Sequence, residues 1–377
     1  MRVIICPDSF KGSLSSVQAA EAIERGVRRG AAGIVTVKIP LADGGEGTVE
    51  ALVRATGGET RRARVHDPLM REIDSFYGIL GDGRTAVVEM AAASGLHLLF
   101  PEERNPLVTT TFGVGELLLA AAEAGVERIT VGIGGSATND GGAGAMAALG
   151  VRFLDEAGCD LPPGGAALAK LDRIDTSRLD FPTDRVTVEV ACDVTNPLTG
   201  PTGASAVFGP QKGATPEMVR QLDGALANYA AVILRDLGVD IDQTAGAGAA
   251  GGLGAGLVAF LGAKTRSGIE LVLDAVGFDK ALTAAGLVIT GEGRLDEQTA
   301  YGKAVGGVLG RASAAGVPVV ALVGAMGGDI TALYEAGLTA AFSIAPGPIP
   351  EDVALDKADQ FLEALAANLA RLWICAA

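Results

Sequence analysis

Histidine and aromatic residues are scarce in this sequence. Only 2 of the 377 residues are histidine, and phenylalanine, tryptophan and tyrosine together make up 4%. A Ser-His-Asp triad requires a histidine beside its nucleophile, and zinc sites draw on clusters of histidine and cysteine. Because His66 and His97 stand singly and far apart in the sequence, we expect neither kind of site.

Paired cysteines, long apolar runs and excess positive charge are also lacking. The 4 cysteines form no C-x-x-C pair, and the first residues run into an apolar strand-like segment rather than a secretory leader, which predicts reduced thiols and a cytoplasmic protein. No stretch of about 18 residues lacks a polar break, which argues against a transmembrane helix. With 30 basic and 45 acidic residues the net charge is -15, so nucleic acids and anionic membranes are unfavourable partners. The sequence carries no signal for an oligomeric state.

Short apolar strands and amphipathic helices alternate at both ends of the chain. Near the start, strands predicted at 3–6 and 36–39 alternate with helices predicted at 13–29 and 48–55. The end of the chain repeats the pattern, with strands predicted at 287–290, 317–323 and 340–344 and a long helix at 351–372. This alternation predicts a parallel sheet covered by helices.

The middle of the chain has a different pattern. Consecutive strands are predicted at 61–65, 73–80 and 85–90, and a glycine-rich region with a helix starting at Thr215-Pro216 follows. The length is about twice that of one typical domain. We therefore predict an α/β protein in which a discontinuous Rossmann-like (flavodoxin-like) parallel-sheet domain, 1–62 plus 285–377, carries an inserted α/β domain, 63–284. One large α/β sheet is the alternative.

Polar loops follow the predicted strands, where ligands of parallel sheets gather. The first loop places Ser9, Lys11 and Ser13 in front of a helix, and unpaired amides at a helix N-terminus suit an anionic oxygen. The alternative is a capped turn with a solvated lysine.

The loop after the second strand combines glycine with acidic residues. Gly44 and Gly45 allow close backbone approach, while Asp43 and Glu46 offer the oxygen ligands that Mg²⁺ prefers. The alternative is a plain turn in which the acids cap the following helix.

Three further loops carry candidate residues. One adds Arg294 and Asp296 and is expected to meet the first two loops on one rim of the sheet. In a second, Asp193 and Asn196 follow an apolar strand, and a carboxylate there can hold a hydroxyl proton or a metal; a simple turn is the alternative. In a third, amides and hydroxyls could cradle phosphate. The candidates in that loop are Gly134, Gly135, Ser136 and Thr138.

Five segments, in this order and spanning essentially the whole chain, resemble the type 1 bacterial glycerate kinase family. They are Pro7–Ser13, Pro40–Thr48, Gly134–Gly142, Cys192–Leu198 and Gly291–Asp296. One departure stands after Asp67-Pro68-Leu69, where the family commonly has Gly-Arg and this chain has Met70-Arg71. If that loop shapes the pocket, we expect a slightly different substrate fit.

The resemblance implies an active site in the cleft between the two domains. It also implies ATP-dependent phosphorylation of D-glycerate, usually at the 2-hydroxyl, to give 2-phosphoglycerate, with ATP and Mg²⁺ as the expected cofactors. Phosphoryl transfer depends mostly on positioning and charge neutralisation, which suits a chain poor in histidine. A kinase that forms 3-phosphoglycerate, a non-catalytic sugar-acid binding protein and a hydrolase of phosphorylated acids are the alternatives.

The chemistry of phosphoryl transfer suggests a role for each candidate. Asp193 is the expected base for the hydroxyl proton, and Lys11 is expected to contact the transferring phosphate. Arg294 or Arg71 would bind the glycerate carboxylate, because a planar guanidinium fits it bidentately. Ser9 and Asn196 are further substrate-binding candidates. The phosphate-binding candidates are Ser13, Gly44, Gly45, Gly134, Gly135, Ser136 and Thr138, and the metal candidates are Asp43, Glu46 and Asp296.

Overall fold

A computed structural model describes residues 1–39, 41, 47–300 and 304–376. The strands in chain order are β1 (Arg2–Pro7), β2 (Val35–Lys38), β3 (Glu59–His66), β4 (Glu72–Ile79), β5 (Thr85–Glu89), β6 (Arg128–Gly132), β7 (Arg152–Leu154), β8 (Arg173–Asp175), β9 (Thr187–Ala191), β10 (Lys264–Arg266), β11 (Leu287–Gly291), β12 (Arg294–Leu295), β13 (Val319–Val323), β14 (Ala325–Met326) and β15 (Leu338–Ser343).

The α-helices are α1 (Ser16–Gly30), α2 (Thr48–Thr56), α3 (Ala91–Ser94), α4 (Phe112–Glu123), α5 (Ala143–Ala148), α6 (Ala204–Phe208), α7 (Pro216–Leu237), α8 (Leu253–Leu261), α9 (Gly268–Ala275), α10 (Phe278–Leu282), α11 (Ala304–Ala314), α12 (Thr331–Glu335), α13 (Glu351–Asp356) and α14 (Ala358–Ala376). Short 3₁₀ helices lie at Leu96–Leu98, Pro101–Glu103, Gly165–Lys170, Pro210–Lys212, Ala249–Gly252 and Glu297–Ala300. No helix in the described ranges is long and apolar enough to cross a membrane.

The α/β fold divides into two compact units. Unit 1 comprises Met1–Asp43, Arg54–Thr56 and Ile269–Ala377, and unit 2 comprises Gly44–Val53 and Gly57–Gly268. The units thus divide near 57 and 268 rather than at the predicted 62 and 285, and the domain boundaries stay a prediction. One contact that keeps α9 in unit 1 is the ion pair of Glu270 on this helix with Arg311 on α11.

Unit 1 contains a five-stranded sheet, and each of its strand pairs is parallel, with the order β15-β13-β11-β1-β2. Counted along this unit's own sheet strands, the order is the 2-1-3-4-5 arrangement of flavodoxin-like sheets. The predicted parallel α/β sheet is therefore confirmed. The strand order reverses between β1 and β11, whose last residues, Pro7 and Gly291, are paired. Ligands bind such sheets outside the carboxyl ends of the strands at this switch point.

Helix α1 begins at Ser16, three residues after the predicted start at 13, behind a capping box. The Ser15 hydroxyl accepts a hydrogen bond from the Gln18 amide, and the Gln18 side chain accepts one from the Ser15 amide. The helix buries Ile23 and Val27 and crosses α14 closely at Gly26.

The single helix predicted at 351–372 is wrong in one respect, since the structure divides it into α13 and α14. The backbone leaves helical geometry at Lys357 (φ -107°, ψ 14°), whose amide donates to the Val353 carbonyl and closes α13. The apolar period continues across this break, so the sequence pattern did not reveal it.

Unit 2 contains a six-stranded mixed sheet with the order β10-β9-β6-β5-β4-β3. The pairs β3–β4 and β4–β5 are antiparallel, whereas β5, β6, β9 and β10 run parallel. The three consecutive strands predicted from 61 to 90 are confirmed. Helix α7 starts at Pro216 behind the Thr215 cap, as predicted, and buries Leu226, Tyr229 and Ile233 in the core beside this sheet.

Candidate active site

A cavity of about 510 Å³ opens at the carboxyl ends of β1 and β11, the switch point of the unit 1 sheet. The loop after β1 contributes Asp8 and Lys11, and the loop after β11 contributes Glu292 and Arg294. The predicted Lys11 loop and the predicted Arg294 loop therefore do meet at one cavity. The strand end of this cavity combines two cations with two carboxylates.

Lys11 and Arg294 are the cations among the described residues that line this cavity. Lys11 lies at the exposed tip of a turn in which the Phe10 and Leu14 backbones exchange hydrogen bonds. Arg294 has 69% of its side chain exposed and lies 3.9 Å from the Asp296 carboxylate. Within the described part of the chain no hydrogen bond or ion pair engages the Lys11 ammonium. Both cations are accessible to an anionic ligand.

Asp8 and Glu292 are acidic residues of the site to which sequence reasoning gave no role. The Asp8 amide donates to the Gly291 carbonyl at 2.8 Å, and this bond joins the two loops. The Glu292 carboxylate accepts from the Thr299 hydroxyl at 2.8 Å. Both residues stand inside the motif segments, directly after a strand, and that position is the signal that could have identified them.

Ser13 and Ser9 are tied into the rim of the cavity. The Ser13 hydroxyl donates to the Leu355 carbonyl at 2.6 Å and its amide donates to the Phe10 carbonyl, while the Ser9 amide donates to the Asp8 carboxylate. Together with the Ser15 cap, these bonds occupy amides that were predicted to be unpaired for phosphate. Both the hydroxyl and the amide of Ser13 thus have partners within the protein, and the phosphate role of Ser13 stays a prediction.

Only part of the loop predicted after the second strand is described. Asp43, Gly44, Gly45 and Glu46 lie outside the described residues. The helix that follows, α2, receives Glu89 at its N-terminus, where the amides of Gly47 and Val49 donate to that carboxylate at 3.3 and 2.6 Å. A buried negative charge at this end disfavours a phosphate there.

The glycine and hydroxyl loop of unit 2 is closed in a similar way. The buried Asp140 carboxylate accepts from the amides of Thr111, Gly142 and Gly144 at 2.8 to 3.2 Å. Burial raises the pKa of Asp140. Gly134 is half-buried, Gly135 is exposed and Ser136 and Thr138 are buried. The expected direct contact of Thr138 with phosphate therefore disagrees with its burial.

A buried lysine donates a hydrogen bond to the backbone of this glycine and hydroxyl loop. The Lys212 ammonium donates to the Thr138 carbonyl at 2.6 Å, and 1% of the residue is exposed. Burial lowers the pKa of Lys212 to about 7, and the nearby Asp140 charge opposes the shift. Sequence reasoning missed Lys212, because a lysine in a polar turn carries no sign of burial.

Asp193 follows β9 and is fixed by the segment after β10. Its Oδ1 accepts from the Ser267 hydroxyl at 2.8 Å and from the Gly268 amide at 3.0 Å, yet the residue is exposed. The Asn196 side-chain amide donates to the Thr202 carbonyl at 2.8 Å and so stabilises its own loop. Ser267 is a positioning partner that the sequence did not indicate.

Arg71 has partners that compete with a substrate. Its Nε lies 2.5 Å from Asp67 and its Nη1 lies 2.7 Å from Glu103. Hydrogen bonds from the Phe100 amide and then from Arg71 lower the pKa of Glu103. Of the two arginines predicted for the glycerate carboxylate, the geometry favours Arg294.

The described residues contain no group of three or more His, Cys, Asp or Glu side chains arranged to hold a metal ion by themselves. Of the predicted metal candidates, only Asp296 can be described. It lies on the loop after β11, where its amide donates to the Thr299 hydroxyl.

Comparisons with known proteins agree along the whole chain. The sequence profile of the Glycerate kinase family matches residues 3–374. Glycerate kinase of Bacillus subtilis (strain 168) is 52% identical over 98% of this chain and 97% of its own length. Glycerate 2-kinase of Escherichia coli (strain K12) is 49% identical over 91% of this chain and 90% of its own.

A solved structure agrees as well. A crystal structure from Salmonella typhimurium LT2, assigned as glycerate kinase 2, superposes with a TM-score of 0.91 at 50% identity and covers 100% of this chain and 99% of its own. The α/β fold, the loops at the switch point and the full-length matches lead to one conclusion. The protein is a kinase, and the chain belongs to the glycerate kinase family.

Proposed function

We propose that this kinase transfers the γ-phosphoryl group of ATP to the 2-hydroxyl of D-glycerate with the help of Mg²⁺. ATP and D-glycerate are consumed, the hydroxyl loses its proton, and 2-phosphoglycerate and ADP are released. The observation that carries the proposal is the convergence of Lys11 and Arg294 with Asp8 and Glu292 on one cavity at the switch point.

Lys11 suits the transferring phosphate. Its ammonium is exposed on a turn held by backbone hydrogen bonds, and a positive charge there neutralises the charge of the phosphoryl oxygens. Arg294 suits the glycerate carboxylate, because its guanidinium is largely exposed and can offer two parallel donors. Ser9 lines the same cavity and is a further substrate candidate.

The donor set at this cavity fits Mg²⁺. Mg²⁺ is commonly bound by one or two carboxylates together with water and substrate phosphates, and Asp8 and Glu292 supply hard oxygen ligands at the strand end. The ion would neutralise phosphate charge when bound. We add these two residues to Asp296 as metal candidates, and the earlier assignments of Asp43 and Glu46 stay predictions.

Asp193 is the proposed acceptor of the hydroxyl proton. Oδ1 is held by Ser267 and Gly268, and this orients the carboxylate. The residue is exposed at the carboxyl end of β9, as a base that must reach a substrate requires.

The 2-hydroxyl is proposed because the Escherichia coli relative named glycerate 2-kinase covers most of the chain at 49% identity. The test uses purified protein, ATP, Mg²⁺ and D-glycerate, with the products separated into 2- and 3-phosphoglycerate. We expect 2-phosphoglycerate and little reaction with glycerol, which lacks the carboxylate. A 3-phosphoglycerate product would overturn the site of transfer, and equal turnover of glycerol would overturn the substrate.

Asp193→Asn tests the proton acceptor. Asparagine keeps an oxygen that can accept from Ser267 and Gly268 but cannot take the proton, so kcat should fall by about 10²- to 10⁴-fold with the KM for ATP little changed. Ser267→Ala, which removes one orienting bond, should lower kcat much less. If Asp193 only caps α9 through Ser267 and Gly268, Asp193→Asn will lower the melting temperature while kcat stays normal. If Asp193 binds the metal, activity will recover at high Mg²⁺.

A further inference from the structure

The lining of the unit 1 cavity has two chemically different parts. The loops at the strand end contribute charged residues, Lys11 and Arg294 among them. Helices α13 and α14 contribute an apolar wall with Leu355, Ala358 and Phe361. Leu355 keeps 41% of its surface exposed although it is apolar. An apolar wall that stays open beside a charged rim is typical of a small-molecule site.

A three-carbon hydroxy acid does not account for this wall. Glycerate is polar on every carbon, so burying it against leucine and phenylalanine gains little. The cavity, at about 510 Å³, lies within the range of about 300–1,000 Å³ that holds drug-sized ligands. A flat heteroaromatic base, in contrast, gains from burial against aliphatic and aromatic side chains.

The charges give the ligand a direction. Among the lining residues of α13 and α14 there is an acid, Glu351, and no cation. The strand end has carboxylates of its own, Asp8 and Glu292, but among the described lining residues only this end offers cations, Lys11 and Arg294. Phosphate groups are therefore favoured there over the helical wall.

We propose that the wall formed by Leu355, Ala358 and Phe361 receives the nucleoside of ATP, with the phosphates directed to the strand end. The proposal rests on the proposed function and adds the part of the site that selects a nucleotide. The hydrogen bond from the Ser13 hydroxyl to the Leu355 carbonyl, 2.6 Å long, couples the helical wall to the loop that carries Lys11. This bond fixes the position of the helical wall relative to the loop that carries Lys11.

The experiment fills the part of the cavity that lies against the helical wall. Ala354 is half-buried on α13 and lines the cavity, so Ala354→Phe would occupy the space of the base. The matched control is Ala336→Phe, the same substitution at an exposed position outside the cavity. For Ala354→Phe we expect the KM for ATP and the Kd for ADP to rise by about tenfold or more, with the KM for glycerate unchanged. Inorganic tripolyphosphate, which has phosphates and no nucleoside, should inhibit both variants equally.

Leu355→Ser provides a second variant in case Ala354→Phe fails to fold, because 41% of the Leu355 surface is exposed and the side chain lies outside the buried core. This variant too should bind ADP more weakly, while inhibition by tripolyphosphate should stay unchanged. Unchanged ADP binding in both variants, or a rise in the KM for glycerate alone, would overturn the proposal. Failure of the proposed function is read separately, as absence of phosphoryl transfer by the wild-type protein, and ADP binding still tests the wall in that case.

Discussion

At the scale of single residues, Met70 adopts a backbone conformation that suits glycine better. Its φ is +63°, in the left-handed region, and 37% of the residue is exposed. A non-glycine residue there costs about 1–2 kcal/mol, so a glycine would adopt the backbone conformation of this position with less strain.

Met70→Gly should therefore raise the free energy of unfolding by about 1 kcal/mol, net of the entropy that glycine loses on folding. Urea denaturation measures it. Met70→Ala is the control, since alanine loses the side chain but keeps the backbone cost. The explanation fails if the glycine variant is no more stable than the alanine variant.

Lys212 links stability to pH. Its folded-state pKa is about 7 because of burial, whereas an unfolded lysine titrates near ~10.4. Between these values the unfolded state binds the proton and the folded state does not, so the free energy of unfolding should rise with pH over this window. The charged group that acts on Lys212 is Asp140, and burial raises the pKa of that carboxyl.

Lys212→Met should remove this rise. Denaturant titrations at pH values from 7 to 10 measure the free energy of unfolding. The value for the wild type minus the value for the variant should increase with pH. Lys170→Met, at an exposed position of the same unit, should keep the wild-type slope. Parallel curves for wild type and Lys212→Met would show that the buried ammonium keeps its proton throughout.

At the scale of elements, the close crossing of α1 and α14 depends on glycine. A Cβ at Gly26 would lie 2.3 Å from the Glu363 carbonyl oxygen and 2.7 Å from the Ala366 Cβ. Backbone cannot give way as a flexible side chain does, so the helices would have to separate.

Gly26→Ala should lower the free energy of unfolding by about 1–2 kcal/mol, the overpacking cost less the gain in helix propensity. Gly310→Ala on α11 is the matched control, because its Cβ would meet nothing within 4 Å, and it should stabilise by about 0.5–1 kcal/mol. Chemical denaturation measures the free energy of unfolding of both variants. Equal changes in this free energy would contradict the close-contact argument.

At the scale of the whole molecule, ligand binding should stabilise the protein by mass action. At 100 times its Kd, a ligand that binds only the folded state contributes about 2.7 kcal/mol. If Mg²⁺ joins the carboxylates of the site to the phosphates, ATP should raise the melting temperature more with Mg²⁺ than with EDTA. Mg²⁺ without ATP should have little effect. Equal shifts with Mg²⁺ and EDTA would argue against a metal bridge.

The sequence by itself determined the local features. The Thr215 cap starts its helix as predicted, since a cap acts within one turn. The apolar strands at both ends of the chain indicated the parallel sheet. The loops after β1 and β11 could be assigned to one site because parallel strands bring their carboxyl ends together.

Only the tertiary structure decided which loop amides are open to a ligand. The Glu89 carboxylate accepts a hydrogen bond from an amide at the N-terminus of α2, 40 residues away in the chain. The Asp140 carboxylate accepts one from the amide of Thr111 on another segment. Lys212 lies 74 residues from the carbonyl that it supports. Hydrophobic period and capping act over a few residues, whereas these partners meet only after the sheet has formed, so packing alone selects them.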